Sequence, residues 1–322
     1  MSDRSGMSQP SLSHILPQVI EAILHVLSRR YISYPFTADE QARVKAEFVR
    51  SFNFPGVIGA VDCTHIALRA PSVDEHAYVN RKNFHSLNVQ IICDARMQLL
   101  NVCSKWPGST HDSFILRHSR VGLRLEAGDR GYPLKTWLLT PFANPRTAEE
   151  LRYNLAHGRT RSVVERTIGL LKGRWRCLDA SGGKLLYKPE KVTRIILACG
   201  VLHNIALRHG IGMDAEIRMD PQKAPNPPPN EAPAPADAVR RRRQLIQRLV
   251  TWTQTGMDPR QLWPNLPPHS WHLRVCDAWE PGPHGLHPWV EDTRAATQLP
   301  LVEGAHSPGA RAATQLPPFL CE

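Results

Sequence analysis

Apolar positions Ile15, Ile20, Ile23, Leu24 and Leu27 recur at helical spacing, and a second such pattern follows Thr37, so residues 11–52 are expected to form a helical cap. From about residue 55 the texture changes. VIGAVDCTHIAL, LNVQIICDARMQ and LLNVCSKW are apolar runs separated by polar breaks, the pattern of three consecutive antiparallel strands, with DARMQ as the turn between the second and third. STHDSFILRHS then predicts a short helix, capped by Ser109 or Thr110 and holding Asp112 in its first turn. After a loop containing GDRGYPLKTWLLTPF come two helical stretches, TAEELRYNLAHG and RTRSVVERTIGLLKGRWRCL, the second at about 159–178. A last apolar helix is expected at about 188–209, stopping at Gly210.

Beyond Gly210 the periodicity ends. Seven prolines between 221 and 235 mark residues 211–238 as a disordered linker. VRRRRQLIQRLVTW predicts a basic amphipathic helix within 239–255, and 256–322, rich in Pro, His and Trp without period, reads as a disordered tail. The heptapeptide RAATQLP occurs at 294–300 and again at 311–317, too few copies for a solenoid. The expected organisation is a helical N-terminal region at 1–54, one α/β domain at 55–210, and these appendages.

Composition narrows the function. The 322 residues can bury a substantial core. No apolar run approaches the ~18 residues of a bilayer-spanning helix, and the N-terminus lacks the layout of a signal peptide, so an intracellular chain with no membrane partner is expected. Seven cysteines stand singly without a C-x-x-C pair, which favours reduced thiols over a disulfide framework or zinc ribbon. Forty Lys and Arg against 29 Asp and Glu give a net charge of +11, pointing to a polyanion such as nucleic acid, or else to a merely basic protein.

Four carboxylates carry candidate chemistry. Asp62 interrupts the apolar run GVIGAVDCTHIAL, where burial is unfavourable unless a cation offsets it. Taken singly, each has an ordinary reading: a turn or cap for Asp62, a helix-dipole carboxylate for Asp112, a Gly/Pro-turn residue for Asp129, and an i, i+4 ion pair with Arg161 for Glu165. Taken in order, a strand acid, later acids and a helix acid suit a two-metal phosphodiester site. Hard dications take carboxylate oxygens, and two of them roughly 3.5–4 Å apart activate the attacking water and stabilise the leaving oxygen.

At these residues the chain resembles the nuclease domain of PIF/Harbinger-type DDE transposases, and in particular the Harbinger transposase-derived nucleases of animals. GVIGAVDCTHIAL, YVNRKNFHSLNVQ, WPGSTHDS, GDRGYPLKTWLLTP, RYNLAHGRTRSVVERTIGLLKGRWRCL and ILACGVLHNI resemble that family's blocks in the same order, over about 55–210. The resemblance implies an α/β fold, a ribonuclease H-like mixed sheet flanked by helices. It places metal-binding acids on Asp62, Asp112, Asp129 and Glu165, with Asp62, Asp129 and Glu165 catalytic; 35 residues lie between the last two. It further implies Mg²⁺ or Mn²⁺ as cofactor, in-line hydrolysis of DNA by water without autonomous transposition, a Myb-like DNA-binding partner, and a location in the nucleus and also the cytoplasm. The alternative is an inactive DNA- or protein-binding module that keeps the fold. Arg81 and Lys82 after the first strand, with Arg159, Arg161, Arg166, Lys172, Arg174 and Arg176 along the helix of Glu165, would hold the phosphate backbone, or else form a solvated basic face. Family members place the third acid at the end of an apolar strand, whereas LRLEAG precedes Asp129 here, so that strand is expected to be missing.

Overall fold

The computed structural model describes residues 6, 8–127, 138–142, 144–211, 236–255 and 272–275. Helices α1 (Gln9–Tyr31) and α2 (Ala38–Phe52) lead into strand β1 (Val57–Ala67). Thr37 separates the two helices by a reciprocal capping box, its side chain accepting from the Glu40 amide while the Glu40 carboxylate accepts from the Thr37 amide. Strands β2 (Ser86–Cys93) and β3 (Leu99–Pro107) follow β1, each antiparallel to its predecessor, as the alternating runs predict. Asp94 closes the β2–β3 turn by accepting from the amides of Arg96 and Gln98 at 2.8 Å each.

Short helices α3 (Asp112–Arg117) and α4 (Arg120–Ala127) come next. The residue capping α3 is His111, which makes no side-chain capping bond, so the expected Ser109 or Thr110 cap is not used. The residues leading to Asp129 form helix α4 rather than a strand. The two helical stretches expected after that loop are one continuous helix, α5 (Ala148–Arg174). Gly158 does not break it, because a mid-helix glycine costs only about 1 kcal/mol against the packing of a long helix. Helix α6 (Pro189–Arg208) completes the core, and α7 (Ala236–Thr255) forms where the basic helix is expected, its first three residues lying inside the predicted linker.

The sheet has the order β3-β2-β1-β4, in which β4 (His272–Val275) comes from the tail and pairs in parallel with Val57–Val61. Those four residues depart from the unstructured tail expected at 256–322; the free edge of β1 offers backbone donors and acceptors that a short extended segment satisfies. The rest of that tail and most of the predicted linker lie outside the described residues.

Strand alternation divides the core into two. On one face Ala60, Ile66, Val89, Ile91 and Cys93 pack against Val163, Val164 and Ile168 of α5 and against residues of α1, α2 and α6. On the other, Val61 and Ile92 meet Leu116 of α3 and Val121 and Leu125 of α4. Phe48, Phe54 and Tyr153 are fully buried, each such side chain contributing about 2 kcal/mol relative to exposure. Asn204 ties three elements together. Its carbonyl accepts from the Leu99 amide at 2.8 Å, and its amide donates to the carbonyls of Leu99 and Tyr31 at 2.8 and 2.7 Å. No helix among the described residues is long and apolar enough to cross a membrane.

Candidate active site

Asp62 lies in the middle of β1 and is 2% exposed, with one carboxylate oxygen accepting from the Cys63 amide at 2.8 Å. Its Cα partner on β2 is Ile91, and Ala60 on the same face pairs with Cys93. Thr167 of α5 donates to the Cys93 sulfur at 3.3 Å, so Asp62 points to the face that α5 covers. Glu165 stands on that helix, two residues before Thr167. Arg161 donates to its carboxylate at 2.9 Å, with both side chains about a quarter exposed. The i, i+4 ion pair expected of an isolated helical Glu is therefore present in the same position as the candidate ligand.

Asp112 is held elsewhere. It opens α3 and accepts from the Asn88 side chain at 2.7 Å, while Asn88 also donates to the Thr110 carbonyl at 2.8 Å. Asn88 pairs with His65, which alternates with Asp62 and Thr64, so this anchor belongs to the opposite face of the sheet. Asp62 points to the face that α5 covers and Glu165 stands on α5, Asp112 is held on the opposite face, and Asp129 lies outside the described residues. Among the described residues no group of three or more His, Cys, Asp or Glu is placed to hold a metal ion.

Three sequence blocks converge at the end of β1. His65 shares a hydrogen bond with the Ser86 hydroxyl at 3.0 Å, and the Asn80 amide donates to the same hydroxyl at 2.9 Å. The Asn80 carbonyl oxygen accepts from the Lys82 amide at 2.9 Å, closing a tight turn that leaves Arg81 and Lys82 exposed. Arg81 in turn reaches His111 of the WPGSTHDS block. Gly108 of that block is required by close approach, since a Cβ there would run into the Ser86 hydroxyl and the Tyr78 carbonyl. Burial holds the His65 pKa below its ordinary value; Asp112 opposes that, and the charges of Lys172, Lys82 and Arg81 push it further down. His65 is thus neutral near pH 7, in a basic field.

The eight cations expected along the site divide by environment. Arg81, Lys82, Arg159 and Arg176 are exposed. Arg161 is engaged by Glu165, Arg166 bends back to the Ser162 carbonyl at 3.4 Å, and Arg174 donates to the Ile211 carbonyl at 2.9 Å. Lys172 is buried at 8% exposure, so it acts on its neighbours and not as part of a solvated face. His65, Asn80, Ser86, Asn88 and His111 are not singled out by the sequence reading. A signal existed for two of them, because Ser86, Asn88 and Gln90 alternate with apolar residues along β2, and all three are buried.

A family model described as "DDE superfamily endonuclease" matches residues 61–204, from the residue before Asp62 to the Asn204 clamp. Among curated proteins, "Putative nuclease HARBI1" of Homo sapiens is 43% identical over 234 residues, 70% of this chain and 67% of the relative. The chain belongs to this family of Harbinger transposase-derived DDE endonucleases. The Bos taurus protein of the same name is 44% identical over 220 residues, 66% of this chain and 63% of the relative, so the chain spans less than two thirds of that protein's length. "Protein ALP1-like" of Arabidopsis thaliana is 30% identical over 230 residues, 63% of this chain and 54% of the relative. No solved structure matches the chain.

Proposed function

We propose that this chain is a divalent-metal-dependent endonuclease that hydrolyses DNA phosphodiester bonds on a ribonuclease H-like scaffold, and does not transpose alone. The observation that carries the reading is Asp62, a carboxylate buried on β1 beneath the helix that bears Glu165, inside the segment matched by the endonuclease family. Asp62, Asp129 and Glu165 are the proposed ligands of Mg²⁺ or Mn²⁺, and their carboxylate oxygens are the donor type these hard ions take. A bound dication supplies the Lewis acidity that phosphodiester hydrolysis needs. Arg161 meanwhile pairs with the Glu165 carboxylate at 2.9 Å. Asp112 has a positioning role, fixing the WPGSTHDS block to β2 through Asn88. Arg81 and Lys82 hold the phosphate backbone, and His65, whose pKa is lowered by burial, adds no positive charge to theirs near neutral pH. A Myb-like DNA-binding partner and work in the nucleus and cytoplasm belong to the same proposal on the family resemblance alone, while the +11 net charge supports DNA as the polyanion bound.

A second reading, an inactive DNA- or protein-binding module, is favoured by the Arg161–Glu165 pair and by the helical segment preceding Asp129. Calorimetric titration with Mn²⁺ separates the two. The nuclease reading expects binding that is lost in Asp62→Asn and kept in Asp112→Asn; absence of binding, or binding indifferent to Asp62→Asn, favours the module.

A further inference from the structure

Helix α7 carries arginine at residues 240–243 and again at Arg248, and Asp237 is its only acid. Its apolar side docks it on the domain. Leu245 and Ile246 are buried in the main core, Leu249 packs against that core, and the helix contacts α5, which bears Glu165. Arg242 fixes it further. Its guanidinium lies 4.0 Å from the centre of the Phe142 ring and donates to the Pro141 carbonyl at 3.4 Å, while Phe142 meets Tyr153 of α5 edge-on. The polar side is arranged differently. Ala236, Val239, Arg240, Arg243, Gln244 and Gln247 line one open depression, their spacing of three and four residues placing them on a single helix face. Arg240, Arg243, Gln244 and Gln247 are exposed, and all four side chains are hydrogen-bond donors.

We propose that this face of α7 is a second grip on DNA, in which Arg240 and Arg243 hold backbone phosphates apart from the Arg81–Lys82 turn. The proposal rests on the reading of DNA as the bound polyanion and adds where it is held. Like charges one helical turn apart oppose the helix, and no acid stands three or four residues from Arg243 to offset them. A row of phosphates supplies that offset. From Arg240 to Gln247 the donors extend over about 10 Å of helix, roughly three steps of one DNA strand at about 3.4 Å each. Arginine and glutamine donors to phosphate oxygens position a duplex without reading its sequence. A nuclear-import receptor that takes a basic run as an extended peptide fits less well, because it would have to draw Arg242 off Phe142 and pull Leu245 and Ile246 out of the core.

The test is fluorescence anisotropy of the full chain with a labelled DNA duplex across a sodium chloride series, with EDTA present so that cleavage plays no part. Arg240→Gln/Arg243→Gln is expected to unfold at the wild-type temperature and to lower the log–log salt slope by about 2. Arg240→Lys/Arg243→Lys keeps the charge and is expected to keep the wild-type slope, which a merely structural role for the arginines would not produce. The same reduction is expected when the glutamine pair is placed in the Arg81→Ala/Lys82→Ala background, as two separate grips require. A wild-type slope in the glutamine variant, a reduced slope in the lysine variant, or no DNA binding by the wild type would each overturn the proposal. An unchanged slope together with lost binding to an import receptor would assign the run to import instead. Metal-dependent nicking is read separately, so failure of the nuclease reading and failure of this grip are distinguishable.

Discussion

His203 is completely buried on α6 and shares a hydrogen bond with the Met97 carbonyl at 3.0 Å. Burial holds its pKa down to about 4; the Met97 bond opposes that, and the Arg174 charge adds to the depression. In the unfolded chain a histidine titrates near 6.5. Above that pH both states are neutral and the group contributes nothing; between about 6.5 and 4 only the unfolded chain takes up the proton, so stability falls with pH. Asp94, raised by burial to about 6, acts oppositely, because between about 4 and 6 the folded carboxyl binds the proton first. The difference between wild type and His203→Gln therefore isolates the histidine. Urea unfolding is expected to show wild type losing about 3 kcal/mol relative to His203→Gln from pH 7 to pH 4, and parallel pH profiles would contradict this. At this scale Asp62 was legible, since a charge inside an apolar run must be buried or placed at an edge. The polar stripe Ser86, Asn88, Gln90 showed as alternation, but alternation alone reads as a solvated face; here the stripe is buried, and the hydrogen bonds of Ser86 and Asn88 go to His65, Asn80 and Asp112.

Elements were legible wherever periodicity or capping marked them. The capping box at Thr37, the three antiparallel strands and helix α6 follow their sequence patterns closely. Helix α5 does not, because a glycine at 158 and the change of composition around it suggest a break that packing overrides. A Cβ built on Gly158 meets nothing within 4 Å, so only the glycine's conformational freedom opposes the helix there. Gly158→Ala is expected to raise stability by about 0.5–1 kcal/mol, read as a shift in urea midpoint at unchanged slope. A loss of stability would mean the helix is not continuous. Strand β4 had no legible signal, since four residues define no period and their partner lies more than 200 residues away.

Across the whole molecule, excess positive charge implied a polyanionic partner but could not say which cations face it. The fold sorts them: Arg81 and Lys82 are presented on the Asn80 turn beside the end of β1, while Lys172 is buried and Arg161 is engaged. If the exposed pair contacts phosphates, fluorescence anisotropy with a DNA duplex across a sodium chloride series should give a log–log slope about 2 smaller in the Arg81→Ala/Lys82→Ala double variant. An unchanged slope would place the DNA elsewhere. The candidate site was legible as a set of acids in order; their division between two faces of the sheet was not, because it depends on strand register and on the Asn88 anchor.

The central claim, that Asp62 and Glu165 serve DNA hydrolysis from one face of the sheet, is tested most directly by conversion of supercoiled plasmid to nicked circles. The assay uses the full chain at low salt with Mg²⁺ or Mn²⁺, beside Asp62→Asn, Glu165→Gln and a chelator control. The expected result is metal-dependent nicking that falls to the chelator background in both variants and survives Asp112→Asn. Folded protein that binds DNA without nicking it, or nicking that persists in Asp62→Asn, would contradict the account.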